Sequence, residues 1–167
     1  MGRLLTEAVR AQIGREASYT APEDLGRAAI RYFALAIGDG NPLRTDVEHA
    51  RRAGYADVVA PPTLICETNQ YMTGSPDPDG YIGHSWDLDV PGTRLLRGGN
   101  SYEFFAPVYP FHRITATWRI VDIKERTSSR GAAMLLVTSE AVYTDQDGHR
   151  LARNTETIIL QEIGSGP

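Results

Sequence analysis

Ile114-Thr-Ala-Thr-Trp-Arg-Ile-Val-Asp-Ile123 is the stretch whose reading decides the fold. It is rich in β-branched and aromatic residues, and Ile114, Ala116, Trp118 and Ile120 recur at the two-residue period of a half-buried strand. Ala132 to Tyr143 and Thr155 to Ile163 read the same way. Between the three lie Thr127-Ser-Ser-Arg-Gly131 and Asp145-Gln-Asp-Gly148, which carry turn chemistry, so the strands are expected to form an antiparallel meander. At about 10–14 residues each, they exceed the usual strand length and suit a strongly curved sheet.

Upstream of Gly83 the period becomes helical. Pro22 stands where a first helical turn begins, with Glu23 and Asp24 suited to the positive end of the helix dipole. Leu25, Ala28, Ala29, Tyr32, Phe33 and Ala36 then have the spacing of one buried face, and Gly38 and Gly40 end the segment. A shorter helix is expected from Asp46 to Ala53, closed by Gly54. A third opens at Pro61-Pro62-Thr63 and carries Leu64, Ile65, Cys66 and Tyr71; its apolar character predicts burial on nearly all sides. Helices followed by an antiparallel meander make an α+β arrangement, with the apolar helix against the concave face of the sheet.

Composition bounds the function. The chain has 167 residues, a size at which one domain buries a core without metal or disulfide staples. Its single cysteine cannot form an internal bridge, which fits a reducing, cytoplasmic setting. With 17 Lys+Arg against 21 Asp+Glu the net charge is -4, unlike the basic balance of a nucleic-acid binder. No apolar run approaches a membrane span, and the first residues lack the apolar centre of a signal peptide. Met1-Gly2 with Thr6 matches a myristoylation pattern in form only, with no second anchor.

The densest polar cluster is Gly38-Asp39-Gly40-Asn41-Pro42-Leu43, followed by Arg44, Thr45 and Asp46. On residue types alone this is a helix terminus with a tight turn, or a carboxylate presented to a cleft. The cluster, with Asp46, Ala50 and the downstream Val58-Val59-Ala60-Pro61-Pro62-Thr63, resembles the MaoC-type hydratases and dehydratases. Within them it is most similar to the N-terminal, fatty-acid-synthase-like dehydratase branch. Leu96-Arg97-Gly98-Gly99-Asn100-Ser101-Tyr102-Glu103-Phe104 and Pro107 resemble that branch's strand entering the sheet, and Asp147-Gly148 and Ala152-Arg153 its last hairpin. The likeness covers about residues 15–162 of a single domain spanning 1–167.

The resemblance implies a hotdog fold, a curved antiparallel sheet wrapped around a long central helix that here starts at Pro61-Pro62. It implies pairing into a continuous sheet, as a homodimer or with a second hotdog subunit. It also implies binding of acyl-CoA or acyl-carrier-protein thioesters. Active members hydrate an enoyl thioester or dehydrate a 3-hydroxyacyl thioester with an Asp and a His that share a water, while a backbone N–H at the helix start polarises the carbonyl. No cofactor and no metal are implied.

Two positions depart from that pattern. The histidine of the motif is Arg44, which stays protonated and is no ordinary general base. The His-Gly that opens the helix reads Ala60-Pro61, and proline has no N–H. In heteromeric members one hotdog subunit carries the dyad and the other shapes the acyl pocket; this chain resembles the second kind. The alternatives are a self-sufficient homodimer using Asp39, a non-catalytic acyl-CoA-binding module, and a hotdog thioesterase. Asp39 is the catalytic candidate, and Asn41, Arg44, Ala60, Pro61, Pro62, Thr63 and His84 are the substrate-binding candidates. Arg44 is either a surface residue or a fork of donors for a ligand phosphate or carboxylate.

Other residues take plainer roles. His49 reads as solvated, and His112 and His149 as turn and hairpin residues. Asp77-Pro78-Asp79-Gly80 imitates the start of a calcium loop, but the bidentate Glu is replaced by Leu88. Cys66 on an apolar helix reads as a small core residue. Gly98-Gly99 fits a strand bend better than a phosphate loop.

Overall fold

The alternating stretch becomes β3 (Thr115–Thr127), flanked by β1 (Glu16–Thr20) on one side and β4 (Ala133–Thr144) on the other. The structure, a computed structural model, describes residues 4–67, 75, 76, 78, 80 and 83–163. β4 pairs with β5 (Arg150–Glu162), and β5 with β2 (Thr93–Phe104), all antiparallel. The order β1-β3-β4-β5-β2 therefore holds the expected meander at its centre and leaves β1 and β2 as the two edges. Helices on one side of a curved antiparallel sheet give the expected α+β class.

Ile114, Ala116, Trp118 and Ile120 are buried as their alternation required. A bulge between Ile120 and Asp122 then shifts the buried face to Ile123 and leaves Val121 outward. Leu135, Val137, Ala141 and Tyr143 of β4 complete the central layer. β5 starts at Arg150, five residues before the expected Thr155, because pairing with strands on both sides imposes extended backbone on Arg150-Leu-Ala-Arg-Asn154, whose sequence lacks alternation. In β2 the register shifts between Arg97 and Gly99. Glycine is required here: a Cβ on Gly98 would stand 2.8 Å from the Thr157 carbonyl oxygen, and Gly99 has φ 149°.

Two helical expectations change. The helix expected from Pro22 is α2 (Arg27–Ala36). Residues 21–26 cannot be helical because Ala21, Leu25 and Gly26 give their N–H groups to the carbonyls of Ile114, His112 and Pro110. Its face is also turned: Ile30 and Ala34 are buried, whereas Tyr32, assigned to the core from spacing, is 63% exposed. The period was right and the phase was wrong. α1 (Glu7–Arg10), not expected, is capped by the Thr6 hydroxyl. α3 (Val47–Arg52) matches its expectation, with the Asp46 carboxylate accepting from His49 N–H. α4 (Leu64–Glu67) opens after Pro61-Pro62 and buries Leu64 and Ile65 against the sheet. Tyr71, the last residue assigned to this helix from sequence, lies outside the described residues, as do Asp77 and Asp79.

Candidate functional site: the Asp39–Arg44 cleft

The motif builds itself from local hydrogen bonds. As α2 ends, Gly38 takes φ 71° and Asp39 N–H turns back to the Ala34 carbonyl, 2.8 Å away. Asn41 caps the short 3-10 turn Pro42–Arg44 by accepting from Leu43 N–H at 3.0 Å, and Asn41 N–H donates to Asp39 Oδ1 at 3.0 Å. These bonds aim the second oxygen of Asp39 at Arg44, whose Nε donates to Oδ2 at 2.9 Å. Arg44, first of all, and then the Asn41 N–H hold the Asp39 carboxyl below the ordinary aspartate range.

Arg44 also reaches across to the next segment. Its Nη1 donates to the carbonyls of Val59 and Ala60 at 3.0 and 3.2 Å. With its side chain only 13% exposed, Arg44 is not the surface residue that one sequence reading allowed. The 57–60 segment it grips is pinned a second time by Arg27, which forks onto Asp57 at 3.0 and 2.6 Å. That pair, which lowers the Asp57 pKa, had no sequence signal because its members lie 30 residues apart.

Backbone donors at positions 59 to 62 are spent or missing. Val59 N–H donates to Leu43 and Ala60 N–H to Val108, and Pro61 and Pro62 have none. Four successive positions, 59 to 62, thus offer no N–H to a ligand. Beside them opens a cleft of about 380 Å³ lined by Leu43, Arg44, Tyr55, Val59, Ala60 and Pro62 on one wall and by residues 104–108 on the other. The lining is mostly apolar, with Arg44 its one charged side chain.

Of the candidates from sequence, Arg44, Ala60 and Pro62 line the cleft, and Asp39 is bonded to Arg44 behind it. Pro61 is fully buried, whereas Asn41 and Thr63 are exposed and do not line it. Tyr55, Phe105 and Val108 were missed. The aromatic pair Phe104-Phe105 leading into Pro107 was the available signal.

His84 stands elsewhere, in an aromatic box. Its ring stacks on Trp118 at 4.8 Å, meets Trp86 edge-on at 4.3 Å, and its Nδ1 lies 2.9 Å from the Tyr19 hydroxyl. Asp87, at φ 47°, turns the chain so that Trp86 inserts and donates to Ser139 Oγ at 2.8 Å. Burial, helped by the Arg15 cation, pushes His84 down to about 4, so it is neutral at pH 7. Its Nε2 is buried and has no partner.

The remaining histidines do not line the cleft. His112 packs on Tyr109 and takes its N–H, and burial lowers its pKa. Asp145, Asp147 and His149 place ligand atoms within 4.8 Å of one another. Asp145 already accepts from the N–H groups of Asp147 and His149 and lies 3.1 Å from the His149 ring, which makes the group a hairpin brace. Cys66 is half-buried against the core.

Residues 11–154 match the family described as FAS1-like, dehydratase domain region. The chain belongs to that family. Among its relatives is a UPF0336 protein of Parafrankia sp. (strain EAN1pec), 33% identical over 155 residues, which are 93% of this chain and 94% of that one. The fold is that of the MaoC-like hotdog dehydratases and hydratases. It is shared with the ChsH1-ChsH2 complex from Mycobacterium tuberculosis, at TM-score 0.72 and 19% identity, covering 90% of this chain and 86% of that one. It is shared too with the C-terminally truncated HadBC (3R-hydroxyacyl-ACP dehydratase) complex of the same organism, at TM-score 0.63 and 24% identity, covering 87% and 96%. Within this family, a site with an ionised carboxylate, a fixed cation and an apolar wall can bind and orient a ligand. It holds no neutral imidazole beside Asp39 among the described residues. No helix among them is long and apolar enough to cross a membrane.

Proposed function

We propose that this chain is the substrate-pocket component of an acyl-thioester hydratase or dehydratase, acting beside a hotdog subunit that carries the Asp and His. The reading rests on one observation: the guanidinium of Arg44 occupies Asp39 and two carbonyls at once. A general base must be free to take a proton from water at hydrogen-bond range. Asp39 instead has one oxygen held by Arg44 and the other by Asn41 N–H, and its lowered pKa makes it a weak base. Positions 59 to 62 provide no N–H for a developing oxyanion.

What remains is binding. The apolar wall suits an acyl chain, and the two Nη2 N–H bonds of Arg44 suit a carbonyl or carboxylate oxygen at its head. Family membership, and the likeness to complexes of two named subunits, support a role beside a partner chain.

The test is to co-express the chain with a MaoC-type subunit bearing the intact motif and to follow hydration of trans-2-enoyl-CoA. Co-purification with turnover that neither chain gives alone is the expected result. Turnover by the dyad-bearing chain that is indifferent to this one would remove the proposal. Release of free CoA in place of hydration would mark a thioesterase.

A further inference from the structure

Two arginines stand at the cleft, and they differ in what balances them. Arg44 gives Nε to the Asp39 carboxylate at 2.9 Å and Nη1 to the carbonyls of Val59 and Ala60. Its charge is matched, so it meets a ligand as a hydrogen-bond donor beside an ionised carboxylate. Arg150, the first residue of β5, is exposed and makes no ion pair or side-chain hydrogen bond among the described residues. Its guanidinium lies over the ring of Phe105, 5.6 Å from the centroid, and Phe105 lines the cleft.

The backbone fixes this placement. Phe105 and Ala106 both donate N–H to the Leu151 carbonyl, at 2.9 and 3.4 Å, so the cleft wall is tied to the residue that follows Arg150. The Asp145 carboxylate of the adjoining hairpin is already occupied, by the N–H groups of Asp147 and His149 and by the His149 ring. A cation–π contact steadies the guanidinium and uses none of its N–H groups. The donors of Arg150 are therefore held in one place and left open.

We propose that Arg150 binds an anionic oxygen group, phosphate or carboxylate, of the ligand whose apolar part occupies the cleft. The proposal deepens the preceding reading and rests on it for the cleft's taking an acyl ligand. It also divides recognition between two cations. An anion brought to Arg44 would lie beside the ionised Asp39 carboxylate that shares the same guanidinium, and like charges at that range repel. A neutral thioester carbonyl meets no such repulsion. At Arg150 the order reverses, because an unbalanced guanidinium with an open fork prefers a charged, bidentate partner. The ligand therefore lies with its carbonyl toward Arg44 and its charged group past the Phe105 wall. Two sources supply that group: the phosphates of a CoA-type carrier, or a carboxylate borne by the acyl chain.

Calorimetric titration of the full chain tests this with three ligands. They are a saturated acyl-CoA, the same acyl group on pantetheine, which has no phosphate, and the pantetheine thioester of the matching dicarboxylic acid. A saturated chain offers no double bond to hydrate, so binding is read without turnover. Arg150→Gln is expected to weaken acyl-CoA at least about fivefold in Kd, with the difference shrinking as salt is raised. It is expected to leave acyl-pantetheine unchanged, which also shows that the cleft is intact. Arg150→Lys keeps the charge and is expected to recover part of the loss. A loss confined to the dicarboxylic thioester would assign a carboxylate in place of the phosphate. An equal loss with acyl-pantetheine, or no loss with either anion, would overturn the proposal. A parent that binds none of the three would remove the preceding reading as well, whereas thioester binding that ignores Arg150→Gln removes this one alone.

Discussion

Two polar centres of this molecule show how differently burial and access shape a side chain. At the cleft, Asp39 and Arg44 form a charged pair beside open space, and the carboxyl moves only down from its usual range. In the aromatic box, His84 is neutral, enclosed by Trp86 and Trp118, and carries the larger perturbation. A strongly shifted group in a cleft would suggest chemistry. Here the larger shift comes with close packing against two rings, and His84 does not line the 380 Å³ cleft, whereas the milder one lies beside it.

The comparison breaks first on stability. Trp118→Ala removes the ring on which His84 stacks and is expected to cost about 3–5 kcal/mol of folding free energy in urea denaturation. A cost below about 1 kcal/mol would mean that the box is not packed as described. The next test uses pH. A histidine whose folded pKa lies below its unfolded value binds fewer protons when native, so stability is complete above about 6.5 and falls as pH drops toward 4. His84 accounts for at most about 3 kcal/mol of that fall. His84→Phe is expected to flatten it between pH 6.5 and 4.5, leaving the smaller slope from the buried His112. A variant whose stability falls as steeply as the parent's would contradict the assignment. The lowered carboxyls of Asp39 and Asp57 act below this window, where stability is lost as they protonate.

The cleft side sharpens the comparison with smaller effects. In Arg44→Met the Asp39 carboxyl loses its main stabiliser, and its NMR titration is expected to move upward while acyl-CoA binding weakens roughly tenfold. An unmoved titration would show that Arg44 does not control the carboxyl. Arg44→His is expected to change turnover least. It restores the imidazole of the motif, but Pro61 still supplies no N–H. A large rate gain from that single change would show that the helix-start donor matters less than the geometry suggests.

The central strands were legible because alternation is local: Ile114 to Ile120 state their own burial. The phase of α2 was not, since its sequence offers more than one apolar face, and the residues before it are tied by their N–H groups to the distant 110–114 segment. At the site, the departures Arg44 and Pro61 could be read from sequence, and Arg44 was open between a surface and a ligand role. Its actual grip on the Val59 and Ala60 carbonyls depends on tertiary placement. The same holds for the cleft wall from Phe104 to Val108, which reaches Arg44 only through the sheet. His84 next to Trp86 looked like a site residue because a histidine between loop and strand carries no local sign of the rings that will enclose it.

The most direct test of the central claim is steady-state hydration of trans-2-enoyl-CoA, from short to bulky chains, by the purified chain alone, with acyl-CoA binding measured on the same preparation. Binding without turnover is the predicted result, because Asp39 is held by Arg44 and positions 59 to 62 offer no donor. Robust turnover that disappears in Asp39→Ala would contradict it and make this chain a self-sufficient enzyme.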